Sequence, residues 1–324
     1  MEQLSRDEVA IVLDLVSDDL ERIEKILTES SAAGTPFLTE SATYLARAGG
    51  KRLRPALVAL SARVWSDCNP DADATAAAIE MTHLATLYHD DVIDESDVRR
   101  SVPSANNKWG NTVAILVGDF LFARASSIAA DVGGEVPRVL ADAIARVVQG
   151  QVRELEHLYD VRRPAAHYFA TVDDKTGALL EASSRLGAAL AGAAPKEADD
   201  LRRFGGAFGT AFQIADDLLD LSATQDELGK APGTDLRDGV YTLPLLYAVE
   251  AEPSLAAALG TPEPDIDLIR SAVVRTGAFD RALAVAADYV DQALAALGSA
   301  PHGIARESLE ALTRLIIDRV PVLE

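Results

Sequence analysis

His83-Leu84-Ala85-Thr86-Leu87-Tyr88-His89-Asp90-Asp91-Val92-Ile93-Asp94-Glu95 is the stretch that decides how this 324-residue chain reads. Its apolar residues recur at helical spacing, and it ends in Asp-Asp-x-x-Asp. The same acidic pattern returns in Gln213-Ile214-Ala215-Asp216-Asp217-Leu218-Leu219-Asp220. At 3.6 residues per turn, Asp90 and Asp94 lie about 40° apart on one helix face, while Asp91 is swung about 100° from Asp90. Asp90 with Asp94, and Asp216 with Asp220, are therefore the pairs placed to grip a cation, with Asp91 and Asp217 in support. Like charges at i,i+4 destabilise a bare helix by a few tenths of a kcal/mol, roughly, so a repeated arrangement asks for a compensating ion. Hard oxygen ligands suit Mg²⁺, which keeps several waters and is completed by phosphate oxygens of a substrate. That chemistry points to a diphosphate.

With 31 aspartates in the chain, one Asp-Asp-x-x-Asp is expected by chance roughly 0.3 times, so a single copy carries little and two carry much. Two solvated acidic faces are a poor alternative, because Leu84, Leu87, Val92 and Ile93, and then Phe212, Ile214, Leu218 and Leu219, make both segments apolar.

Outward from these segments, Ala, Leu, Arg, Glu and Asp continue at helical spacing and alternating β-branched runs are nearly absent. The fold class is all-α. The pattern predicts helices over 7–30, 37–48, 55–67, 71–96, 111–131, 135–161, 165–190, 196–221, 241–252, 265–276, 278–298 and 302–319. Gly and Pro punctuate them at Gly49-Gly50, Pro103, Gly133-Gly134, Pro195, Gly229 to Gly239 and Pro253 to Pro264. None of these connections has the length of a domain linker, and no solenoid period is present. A single helical bundle over 1–324 follows as the expectation.

The balance of 30 basic against 51 acidic residues, a net charge of -21, argues against a broad nucleic-acid or anionic-membrane face. An anionic ligand must meet local basic residues or bound cations. Cys68 alone excludes an internal disulfide and suits a reducing compartment. The first residues lack the order of a signal peptide, and no transmembrane stretch stands out, so a cytoplasmic protein is expected.

The basic residues cluster. Gly49-Gly50-Lys51-Arg52-Leu53-Arg54-Pro55 is a glycine turn entering a helix, where backbone N–H groups favour an anion. Arg99-Arg100 follows the first acidic motif by five residues, and His83 lies two helical turns before Asp90 on the same face. Alone, each has a plain structural explanation: a solvated turn, a counter-charge for Asp94 and Asp97, a satisfied core histidine.

Together, in this order, the segments resemble the trans-isoprenyl diphosphate synthase (polyprenyl synthetase) family over nearly the whole chain. The matching strings are Gly50-Lys51-Arg52-Leu53-Arg54-Pro55, His83, Asp90 to Asp94, Arg99-Arg100, Gly118-Asp119-Phe120-Leu121, Lys175-Thr176, Phe212-Gln213, Asp216 to Asp220 and Gly229-Lys230. The resemblance implies an isoprenoid synthase-type bundle around an elongation cleft. It also implies a prenyltransferase joining isopentenyl diphosphate to an allylic diphosphate, 1'-4 and trans, in a homodimer. Lys51, Arg54, His83 and Arg100 would hold isopentenyl diphosphate; Arg99, Lys175 and Lys230 would hold the allylic diphosphate. Asp90, Asp94 and Asp216 would bind Mg²⁺ directly, about three ions per site with Mn²⁺ a chemical alternative, while Asp91, Asp217 and Asp220 would act through water or orient the others. Thr176, Gln213 and the carbonyl of Lys175 would turn dipoles toward the allylic cation, and the loop from Ser222 to Tyr241 would be a lid. Two positions depart from the family pattern: Ser101 stands where glycine usually follows Arg-Arg, and Val240-Tyr241 where many members place a lysine before Thr-Leu-Pro.

In the family the growing chain runs down the helix of the first motif. Ala85 and Thr86 are small where bulky residues would stop growth, as is Thr82 one turn below, with Met81 the next floor. This pocket implies a product longer than fifteen carbons, of the kind used for quinone side chains. The rival readings are a class I terpene cyclase, a subunit of a heteromeric synthase and a helical scaffold. The second motif is not the cyclase type, both motifs are whole, and a scaffold leaves the clustered cations unexplained.

Overall fold

The computed structural model describes residues 14–67, 69–222, 233–259 and 264–320. Sixteen helices are assigned in this part: α1 Ser17–Ser30, α2 Pro36–Arg47, α3 Leu53–Arg63, α4 Pro70–Ile93, α5 Ala105–Trp109, α6 Asn111–Val132, α7 Val136–Leu155, α8 Ala165–Val172, α9 Ala178–Leu190, α10 Pro195–Ser222, α11 Thr234–Arg237, α12 Leu243–Ala251, α13 Leu255–Leu259, α14 Ile266–Arg275, α15 Ala278–Ala296 and α16 Ile304–Asp318. The class is all-α, as the periodicity requires.

α4 starts cleanly: the Asn69 side chain accepts from the amides of Asp71 and Ala72, and Pro70 opens the helix. Its long alanine-rich body packs on α3 and α6, while α10 packs on α9 and α15. Two apolar clusters result. One gathers α10, α12, α14 and α15 with Leu57 and Leu60; the other gathers α4, α6 and α7 with Val58 and Ala62. α3 and α9 contribute to both, so these two helices tie the acidic helices α4 and α10 into one interior.

Several local features depart from the periodic reading, among them the short helices α5, α11 and α13, where no helix is expected. α4 ends at Ile93, with Asp94 as its C-cap, rather than running to 96. Between α4 and α5 lies a two-stranded hairpin, β1 Val98–Arg99 and β2 Val102–Pro103, turned by Arg100 (φ 52) and Ser101 (φ 62). α7 stops at Leu155, six residues short of expectation. Inside the expected 165–190 helix, Asp173–Gly177 form a π-helical turn. α6 is also long and apolar enough to cross a membrane by length and composition, with 33% of that window buried in the chain; the sequence reading did not single it out.

Candidate active site

The first acidic motif sits at the C-terminal end of α4. Asp91 is fully buried and its Oδ1 accepts from Arg99 Nε at 2.7 Å, so the hairpin is pinned to the helix by an ion pair. Asp90 is half-buried and Asp94 is exposed. Burial, followed by the neighbouring Asp94 charge, raises the Asp90 carboxyl to about 6 despite the opposing pull of Lys175.

The second motif lies on α10. Asp216 is exposed, and Asp217 and Asp220 are buried. Asp217 accepts from Tyr168 Oη at 2.5 Å and from Gln213 Nε2 at 2.9 Å, and Gln213 Oε1 in turn accepts from Thr176 Oγ1 at 2.9 Å. Burial, then the Asp235 charge, holds the Asp217 carboxyl well above the ordinary carboxylate range. This hydrogen-bonded chain fixes the orientation of Gln213 and Thr176 together. Asp216 lies 3.8 Å from Arg319, whose guanidinium stacks 4.5 Å from the centre of the Phe212 ring. The last helix thus brings a cation to the second motif that sequence reasoning missed.

Lys175 and Thr176 stand on the π turn. A π turn widens the helix by one residue and is common where a side chain must be re-aimed. Gly150 on α7 makes room for it, since a Cβ there would sit 2.6 Å from the backbone nitrogen of Lys175. The Lys175 ammonium donates to Glu154 Oε1 at 2.5 Å. Burial opposes its charge, but Glu154, Asp90 and Asp94 outweigh that effect and raise its pKa.

Across from the carboxylates is a cationic cradle. Arg52, in the left-handed region (φ 49), reaches Glu24 at 2.9 Å and Glu80 at 3.3 Å and accordingly has a structural role. Arg100 donates to the carbonyls of Leu45, at 2.7 Å, and Gly49. Arg54 Nε is buried with no hydrogen-bond partner. Burial lowers the His83 pKa well below its usual value, and Arg54, Arg100, Arg99 and Arg52 push it further, so its imidazole is neutral. Lys51, on the open side, lies 6.0 Å from the Phe212 ring centre. A buried carboxylate, Glu80, is the charge that faces this group.

A cleft of about 440 Å³ is lined among others by Asp94, Glu154, Lys175, Thr176, Gln213 and Asp217, while Lys51, Arg54, His83 and Arg100 of the cradle lie outside its lining. Among the described residues no three carboxylate, histidine or cysteine side chains converge on a single point. Each motif offers at most a pair of ligands, all of them hard carboxylate oxygens. The donor set fits a hard divalent ion whose remaining ligands are water and substrate oxygens.

Met81, Thr82 and Ala85 are fully buried in the core shared by α4 and α6, and Thr86 is half-buried with its hydroxyl on the His83 carbonyl at 2.7 Å. None of them lines the 440 Å³ cleft. Lys230 and the loop residues 223–232 fall outside the described residues. At the departing position, Val240 lines the cleft, whereas Tyr241 is buried and donates its hydroxyl to the Leu259 carbonyl at 2.8 Å.

An all-helical interior with two aspartate motifs facing a cationic cradle defines an isoprenoid synthase-type enzyme. The model of the polyprenyl synthetase family matches residues 35–274. The chain is 42% identical over 320 residues to nonaprenyl diphosphate synthase of Mycobacterium tuberculosis, covering 96% of this chain and 95% of that protein. It is 38% identical to heptaprenyl diphosphate synthase component 2 of Geobacillus stearothermophilus, covering 93% and 96% of the two chains. Among solved structures, a polyprenyl synthase from Caulobacter crescentus complexed with calcium and isoprenyl diphosphate superposes with a TM-score of 0.92 at 35% identity, covering 99% of this chain and 100% of that one. The chain belongs to the polyprenyl synthetase family and is a prenyltransferase of the trans-polyprenyl diphosphate synthase type.

Proposed function

We propose that this chain, acting as one helical domain, extends an allylic diphosphate with successive units of isopentenyl diphosphate, dependent on Mg²⁺, to a product beyond fifteen carbons. The observation that carries this reading is the group of cations around His83, together with two motifs of hard carboxylate donors at the ends of two core helices. Lys51, Arg54, His83 and Arg100 take isopentenyl diphosphate; the imidazole, being neutral, donates a hydrogen bond without adding charge. Lys175 and Arg99, the latter with only its Nε committed to Asp91, take the allylic diphosphate, joined by Lys230 from the lid. Asp90, Asp94, Asp216 and Asp220 hold the metal. Asp91 and Asp217 orient their neighbours, a role supported by their inward bonds to Arg99 and to Tyr168 and Gln213.

Bound Mg²⁺ supplies Lewis-acid stabilisation of the charge that develops on the leaving diphosphate. Lys175 leaves Glu154 for the diphosphate oxygens, and its carbonyl, Thr176 and Gln213 present dipoles to the allylic cation. Closure of the cleft keeps water from that cation until the isopentenyl double bond reaches it. The proton lost at the end passes to the released diphosphate, so no separate basic side chain is needed.

A relative at 42% identity is named for a nine-unit product, which agrees with the small Ala85 and Thr86. Ala85→Phe is therefore expected to shorten the product by one or more five-carbon units; chain-length analysis of dephosphorylated products checks it, and unchanged length overturns the role given to this position. A homodimer is proposed because α6 and α7, packed on each other, leave Ile115, Leu116, Val148 and Val152 exposed, apolar side chains that a second copy would cover. The decisive assay incubates the purified chain with isopentenyl diphosphate and C5 to C20 primers, in Mg²⁺ or EDTA. Elongation in five-carbon steps only with Mg²⁺ is the expected result. No turnover with any primer would favour a subunit that needs a partner, as the name of the Geobacillus relative suggests for that protein.

A further inference from the structure

Arg163 lies in the loop between α7 and α8, is 5% exposed, and lines the same cleft as Lys175 and Thr176. Its Nη2 donates to the Tyr241 carbonyl at 3.2 Å, its guanidinium is 5.7 Å from the Tyr168 ring centre, and its Nε is buried with no hydrogen-bond partner. It makes no ion pair among the described residues. The carboxylates that feel its charge are each engaged elsewhere: Glu154 by Lys175, Asp217 by Tyr168 and Gln213, and Asp160 by His157 and the Arg162 amide. A buried guanidinium without a counter-ion is costly to fold around, and arginine matches phosphate oxygens better than any other side chain. Neither Val240 nor Tyr241, the segment it touches, carries a positive charge.

We propose that Arg163 is a diphosphate-binding residue of this enzyme, receiving oxygens of the allylic diphosphate and of the inorganic diphosphate it becomes. It does at the wall formed by Val240 what a cation from that segment would otherwise do. The inference rests on the reading of this cleft as the allylic diphosphate site.

The test measures inhibition by inorganic diphosphate, and KM for each substrate, in Arg163→Gln and Arg163→Lys with Mg²⁺ present. In Arg163→Gln, weakening of inorganic diphosphate by about tenfold or more is expected, with a parallel rise in KM for the allylic primer and less than about twofold change in KM for isopentenyl diphosphate. Arg163→Lys, which keeps the charge and folds more readily, is expected to lose only a few-fold. The double variant Arg163→Gln/Val240→Lys should regain most of the loss, because a lysine at 240 restores a cation to the same wall; a purely structural Arg163 would not be rescued this way. Unchanged inhibition by inorganic diphosphate in folded Arg163→Gln, or failure of the lysine rescue, overturns the proposal. A rise in KM for isopentenyl diphosphate alone would instead show that the two diphosphate sites have been assigned the wrong way round. Loss of folding in Arg163→Gln leaves the Arg163→Lys measurement, where wild-type inhibition also overturns it.

Discussion

The carboxylate wall and the cationic cradle of this site are balanced in opposite ways. On the carboxylate wall the protein answers most charges itself: Asp91 is met by Arg99, Asp217 by Tyr168 and Gln213, Asp216 is approached by Arg319, and Lys175 is held by Glu154. What remains is the Asp90 and Asp94 pair, one half-buried and one exposed. In the cradle, Arg54 and Arg100 beside His83 face Glu80, with Arg52 already shared between Glu24 and Glu80. One wall is finished except for a cation; the other is built with positive charge in excess and is finished by an anion. On the proposed function, a metal diphosphate would satisfy both at once, and neither wall alone would be a complete binding site.

The strongest way to break this comparison is at the unanswered pair. Asp90→Ala is expected to lower kcat/KM by roughly 10³-fold, the share of leaving-group stabilisation that a metal supplies, with no loss of thermal stability in metal-free buffer. Steady-state kinetics and a melting curve on the same sample check both halves. Next comes an answered charge. Asp91→Asn strips Arg99 of its buried partner and should cost about 1–3 kcal/mol of stability, read by urea unfolding; a neutral result would mean that the hairpin is not pinned as described.

A subtler effect belongs to the cradle. The folded pKa of His83 is depressed, so the unfolded chain binds its proton first, and the stability contributed by the neutral ring is present above the usual histidine pKa of about 6.5 and lost as pH falls below it. His83→Gln should therefore show a shallower loss of melting temperature between about pH 7 and 5 than the parent; parallel curves would show that His83 is not shielded. The smallest change concerns the hairpin that carries Arg99 and Arg100. Ser101 holds φ 62, a left-handed conformation that disfavours any residue with a Cβ. Ser101→Gly should stabilise the chain by about 1 kcal/mol, seen as a small upward shift of the melting temperature, with kinetics little altered.

That serine also shows what the sequence could and could not disclose. Arg99-Arg100-Ser101 was legible as a departure from the family pattern, but the reason glycine suits the place is a backbone angle. Val98 and Val102 flanking a two-residue turn were the available signal for the hairpin, and they are too short a pattern to stand against helical periodicity on both sides. The helices themselves were legible because each buries one face, as the apolar spacing of α4 and α10 announces. The π turn left no compositional trace: Asp173-Asp174-Lys175-Thr176-Gly177 fits an α-helix equally well, and its close neighbour Gly150, which leaves room for the Lys175 backbone, is distant in the chain. Tyr168, Glu154, Arg163 and Arg319 stayed hidden for a related reason. Each earns its place by contact with residues distant in the chain, and single-sequence reading has no access to such contacts.

The mounting of Lys175 separates two kinds of change open to this enzyme. The lysine rides on a junction of main chains, with Gly150 against its own backbone and Gly209 against Gly177, where an added Cβ would come within 3.1 Å of the Gly177 Cα. Position there is set by atoms that every residue type shares, so substitution nearby can hardly adjust it and can readily abolish it. Met81, Thr82 and Ala85, the proposed floor for the growing chain, are instead held by side-chain packing on α4, so on that proposal an exchange there would trade one length for another. If that floor is right, descendants of this chain can drift in the size of what they make while the mounting of Lys175 stays where it is.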